Sequence, residues 1–114
     1  MNISHTDRGT LTIIKLTGKF DIEQTEHFEA SFAEIIARRP EIISLDMNEL
    51  NFIDSSGMGA LIKALNTVKN AGAEMILFGL KPMIMNVFKL AKLDSFFKVM
   101  TAEDFERKYG DDSD

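Results

Sequence analysis

The apolar residues of this chain change period repeatedly, and that order limits the fold. Ile3 to Thr6 reads as a short strand. Asp7-Arg8-Gly9 is turn-like, and Leu11 to Leu16 is β-branched, so the two runs predict a hairpin. Gly18-Lys19-Phe20-Asp21 leaves that second strand. Glu23 to Arg38 then carries Phe28, Phe32, Ile35 and Ile36 at helical spacing, with Arg38 and Arg39 at its end and Pro40 as a stop. Ile42 to Met47 predicts a third strand, and Ser56 to Asn70 a second helix closed by Gly72. Met75 to Phe78 is a continuous apolar run, as in a central strand covered on at least one face. Pro82 opens a third helix with Ile84, Val87, Phe88 and Ala91 inward. Phe96 to Met100 predicts a last strand and Ala102 to Tyr109 a last helix. Alternation after a leading hairpin implies a small single-domain α/β fold, with a mixed sheet, one antiparallel edge and crossover helices.

Length and charge fit that reading. At 114 residues, one domain with its own core is expected over residues 1–109. Gly110-Asp111-Asp112-Ser113-Asp114 reads as an acidic disordered tail. The formal net charge of -5 suits no nucleic-acid partner, since phosphate recognition needs Lys and Arg. No apolar run approaches the ~20 residues of a membrane span. Met1 to Gly9 lacks the regions of a signal peptide, and the chain has no cysteine, which fits a cytoplasmic protein.

Enzyme signatures are missing. No Gly-rich loop ends in Gly-Lys-Ser/Thr, and Gly57-Met58-Gly59 is too short for a dinucleotide fingerprint. Ser55 follows Ile53-Asp54, so it lies on no Gly-x-Ser-x-Gly elbow. His5 and His27 lack metal-ligand spacing, and no metal or cofactor is expected. Asp21, Asp46 and Asp54 fall at or near strand ends, where ligands of α/β sheets usually sit but where turn and cap chemistry also uses Asp.

The remaining chemistry lies in Asp54-Ser55-Ser56-Gly57-Met58-Gly59, where a strand hands over to a helix N-terminus. Such a position has free N–H groups and a dipole that favours negative charge. A serine there serves as a cap or as a phosphate acceptor. Two hydroxyls and an Asp exceed what one cap needs. Gly57 and Gly59 each cost ~1 kcal/mol against alanine in a helix, and close approach of another surface is the usual reason for accepting that cost. Projection at about 100° per residue sets Leu61, Ala64, Leu65 and Val68 inward with Gly57. It sets Met58 and Ile62 to one side, where they either cover the sheet edge or, in the sharper reading, form an exposed apolar strip beside Ser55.

From Leu11 to Phe105 the chain resembles the STAS domain of bacterial anti-sigma factor antagonists. The resemblance rests on Gly18 to Asp21, on Leu45 through Gly59, on Gly72-Ala73-Glu74, and on Val87 to Leu93. It implies a phosphorylation-controlled partner-switching protein, not an enzyme. The unphosphorylated form would bind an anti-sigma factor that is also a serine kinase of the histidine-kinase-like ATPase superfamily. Ser55 would be the phosphoacceptor, and a metal-dependent serine phosphatase would reset it. Asp21, Asp54, Ser56, Gly57, Met58, Gly59 and Ile62 would meet the partner. Met58 stands where the family more often has leucine. The alternative within the family is a structural subunit of a lipid-transport ATPase or stress-sensing complex, without a phosphorylation cycle. An aspartate-phosphorylated receiver domain is a third possibility. It wants an acidic pair at the end of its first strand, where this chain has Lys15 and Leu16.

Overall fold

A computed structural model describes residues 1–110. The expected tail lies, from residue 111 onward, outside the described residues. The strands are β1 (Asn2–Arg8), β2 (Leu11–Phe20), β3 (Ile42–Ile53), β4 (Glu74–Phe78) and β5 (Lys98–Met100). The α-helices are α1 (Thr25–Ile36), α2 (Ser55–Asn70), α3 (Pro82–Leu90) and α4 (Ala102–Tyr109), and a 3-10 turn, Ile22–Gln24, precedes α1.

The sheet has the order β1-β2-β3-β4-β5, with β1 antiparallel to β2 and the remaining pairs parallel. This is the mixed α/β sheet expected from the alternation. Because parallel strands follow one another in a single direction, right-handed crossovers put α1, α2 and α3 on one face. Ile43, Leu45, Met75 and Leu77 point to that face and share a core with Phe28, Phe32, Leu61, Leu65, Ile84 and Phe88. Their neighbours Ile42, Ile76 and Phe78 point the other way, as a two-residue period requires, and are covered with Leu11 by Phe105 of α4. The run Met75 to Phe78 is therefore buried on both faces.

Two strands are longer than their sequences indicate. β2 runs to Phe20 through register shifts between Lys15 and Thr17 and between Gly18 and Lys19. Gly18 sits at φ +103, a conformation that side chains disfavour. β3 runs past Met47 to Ile53, paired along that stretch with β2. The first helix is shorter at both ends than Glu23 to Arg38, because Asp21 opens a 3-10 turn before α1 begins. α3 stops at Leu90, so Ala91 is an exposed end residue and not an inward one. The last strand keeps only Lys98–Met100; Phe96 is exposed and Phe97 is buried in the turn before it. Lys98 bonds the Glu74 carboxylate at 2.9 Å, which ties β5 to β4 and raises the pKa of the ammonium.

Candidate functional site

The site forms where β2 and β3 end together. Phe20 is paired with Ile53, so Asp21 and Asp54 leave adjacent parallel strands side by side. Neighbouring strands lie ~4.8 Å apart, which sets the scale of that juxtaposition. The Asp54 N–H donates to the Phe20 carbonyl at 3.2 Å and holds the two strand ends together. The register thus brings Asp21 close to the serine motif.

Asp54 is the cap of α2. Its backbone is extended, and its Oδ1 accepts from the Gly57 N–H at 3.0 Å. Its carbonyl accepts from the Met58 N–H at 2.9 Å, the first turn of the helix. With Asp54 in this role, Ser55 and Ser56 are the first two residues inside α2. Ser55 is exposed and Ser56 half-buried. The Ser55 hydroxyl is therefore released from capping and faces solvent at the positive end of a sixteen-residue helix. Asp21 does the same at the end of the neighbouring strand: it caps the 3-10 turn, and its Oδ1 accepts from the Glu23 N–H at 3.1 Å.

The two glycines separate. A Cβ on Gly57 would stand 2.5 Å from the Phe20 carbonyl oxygen and 2.8 Å from Ile53 Cγ1. The close approach that Gly57 permits lies inside the chain, so the fold itself accounts for this glycine. Gly59 is exposed, and a Cβ there would meet nothing within 4 Å.

The exposed strip predicted beside Ser55 needs correction. Met58 is 5% exposed and belongs to the main core; Ile62 is half-buried and packs against it. β3 continues to Ile53, so sheet extends beneath the first turn of α2, beyond the strand ending at Met47 that the sequence predicts. The buried set on α2 runs from Ala60 through Leu61 to Met58, an arc of about 160° at helical spacing, wider than a single flat face demands. Large apolar side chains exposed at this end of the sheet are instead Phe52 on β3, Met83 on α3 and, on the 3-10 turn that lies against α2, Ile22, which is 69% exposed. Its sequence signal was an isoleucine standing between Asp21 and Glu23.

Asp46 lies elsewhere. It pairs with Phe78 across the sheet, and its carboxylate accepts from the Asn48 N–H and side-chain amide at 3.0 and 2.8 Å. That is turn chemistry within a strand. Among the described residues no group of three or more His, Cys, Asp or Glu could hold a metal ion. Nor is any helix among them long and apolar enough to cross a membrane.

Comparison with known proteins places this arrangement. Residues 2–106 match the STAS domain family. The anti-sigma F factor antagonist of Paenibacillus polymyxa is 32% identical over 100 residues, covering 87% of this chain and 82% of the relative. The fold matches the anti-sigma factor antagonist SpoIIAA in its unphosphorylated form with a TM-score of 0.72 at 22% identity, over 96% of this chain and 100% of that one. It matches the phosphorylated form of the Bacillus cell fate determinant SpoIIAA with a TM-score of 0.71 at 21% identity, over 94% and 98%. An exposed serine beside a capping aspartate, where a five-stranded mixed sheet hands over to a helix, is thus found in a chain that belongs to the STAS domain family.

Proposed function

We propose that this chain is an anti-sigma factor antagonist working as a phosphorylation-controlled partner switch. Its unphosphorylated form binds an anti-sigma factor that is also a serine kinase of the histidine-kinase-like ATPase type, and so releases that protein's target. The kinase transfers the γ-phosphoryl group of ATP to Ser55 Oγ: the new O–P bond forms, ADP leaves, and the hydroxyl proton passes to a base on the kinase. A metal-dependent serine phosphatase removes the phosphate. The relative's name as an anti-sigma F factor antagonist supports the partner class.

One observation carries the assignment of Ser55. Asp54 caps α2, so the adjacent hydroxyl is exposed and has no capping role. A phosphate there adds about -1.5 to -2 charges. The helix dipole and the N–H groups of Ser55 and Ser56 favour it, whereas Asp21 and Asp54 oppose it. These effects offset within the chain. They do not offset across an interface, where a bulky charge would have to be desolvated. The switch therefore acts by blocking a surface and not by refolding. Similar fold matches to both forms of SpoIIAA are in keeping with this.

The test is incubation of the purified protein with host-cell extract and ATP, followed by peptide mapping. Phosphate is expected on Ser55. Phosphate on Ser56 alone would overturn the assignment, and phosphate on neither would favour a structural subunit without a phosphorylation cycle. In binding assays with the kinase so identified, Ser55→Ala should bind and Ser55→Asp should not, both with unchanged melting temperature.

A further inference from the structure

The chain is acidic overall, but its charge is divided unevenly. Six of its 13 Lys and Arg lie between Lys63 and Lys98, against two of its 18 Asp and Glu. That segment is the second half of α2, β4, α3 and the start of β5, and it is positive in a chain of net charge -5.

The parallel topology gathers part of this charge at one end of the molecule. α2 and α3 finish where β4 and β5 begin, opposite the strand ends that present Ser55. Lys69, in the last turn of α2, lies 5.6 Å from the centre of the Phe96 ring. Phe96 meets Phe97 edge-on, and Phe97 meets Phe88 of α3 in the same way. Lys89, Leu90 and Lys92 follow Phe88 at the end of α3. Leu90 is 85% exposed and Phe96 43%. Lys69, Lys89 and Lys92 are exposed, and among the described residues none of the three forms an ion pair. Of the two acids in the segment, Glu74 is held by Lys98, which leaves Asp94.

Helix ends account for part of this arrangement. A last turn favours a cation, which is reason enough for Lys69 and Lys89. It does not explain Lys92. That residue sits at φ 59, the left-handed conformation that glycine adopts with least strain, and Gly72 fills the same position after α2 at φ 75. Nor does the fold use the Leu90 side chain, which stands clear of its neighbours.

We propose that this end of the molecule is a docking surface for the anionic headgroups of a lipid bilayer. The ammonium groups of Lys69, Lys89 and Lys92 meet lipid phosphates, and Leu90 and Phe96 enter the boundary between headgroups and acyl chains. Two features favour a bilayer over an acidic protein: lysine is depleted in protein interfaces, and the Leu90 tip projects instead of lining a groove. The acidic remainder of the chain does not prevent the contact, because charges more than about 10 Å away are largely screened at ~0.1 M salt. α2 is sixteen residues long, ~24 Å, so a bilayer at its far end leaves Ser55 open to a soluble partner.

The experiment is co-sedimentation of the full chain with vesicles of phosphatidylcholine, alone or with about one-third phosphatidylglycerol, at ~0.1 M salt. The unmodified protein should bind the anionic vesicles at least about fivefold more than the neutral ones, and ~1 M salt should remove the difference. Lys92→Gly and Lys89→Gln should each weaken binding about fivefold, and Leu90→Ser at least as much. Melting temperatures should hold in all three, since each side chain is exposed and glycine suits the backbone at position 92. Equal binding to both kinds of vesicle, or to neither, would overturn the inference. So would anionic binding that all three variants retain, because another surface would then carry it. Loss in the lysine variants with full binding by Leu90→Ser would reduce the contact to charge attraction and overturn the docking. Binding to soluble poly-glutamate but not to anionic vesicles would assign the face to an acidic protein and overturn it likewise.

Discussion

At the scale of single residues, two neighbours in one motif have opposite fates. Ser55 faces solvent and Met58, three residues on, lies in the core. Met58→Ala should therefore cost about 2–5 kcal/mol of folding stability, as for other large-to-small changes in cores. Met58→Asp should cost more, because it also buries a charge without a partner. Ile62→Asp, at a half-buried position, should cost less than Met58→Asp. Urea titration gives the order directly. A Met58→Asp variant as stable as the unmodified protein would place the side chain back on the surface. The motif itself was legible from sequence, because Asp, Ser and Gly at a strand-to-helix junction each have a chemical reason to be there. Which of Asp54 and Ser55 takes the cap was not legible. Both residue types are good caps, and only the backbone geometry distinguishes them.

At the scale of elements, the unexpected length of β3 and the burial of Met58 trace to one cause. Met47, Leu50 and Ile53 are the buried residues of the second half of β3, and they are three apart instead of two. Register shifts in the pairing with β2 break the alternation that marks a strand. A reading based on period must stop at Met47, and everything above the missing stretch of sheet, Met58 included, then looks exposed. The same strand ends explain Gly57. Helix propensity alone says that Gly57→Ala should stabilise α2 by ~1 kcal/mol. The new methyl would instead stand 2.5 Å from a backbone carbonyl, and overpacking costs typically about 1–3 kcal/mol, toward the upper end when backbone has to move. The clash should win, and it should loosen the Asp54–Phe20 hydrogen bond that joins β2 to β3. The expected outcome is lower stability in urea, opposite in sign to Gly59→Ala, where the added Cβ meets nothing within 4 Å. Higher stability for Gly57→Ala would mean that the end of β2 gives way at little cost.

At the scale of the whole molecule, the sheet separates the site from a second core. α2 and Ser55 belong to the face covered by α1, α2 and α3, whereas α4 alone shields Leu11, Ile76 and Phe78 on the opposite face. Its anchor is Phe105, fully buried and stacked on Phe78 with ring centroids 3.8 Å apart. Eight residues make a marginal helix in isolation, so α4 owes its stability to that docking. Phe105→Ala should cost about 3–5 kcal/mol, a large share of the ~5–15 kcal/mol that holds a typical domain together. The variant should melt well below the unmodified protein. Yet at temperatures where it remains folded, Ser55 should be phosphorylated in host-cell extract at the unmodified rate. The strands that present Asp54 and Asp21 are fixed by their pairing and by the α2 face, neither of which involves Phe105. If phosphorylation fails while circular dichroism still reports a folded chain, the two faces are coupled through the sheet, and α4 belongs to the switch and is not only a cover.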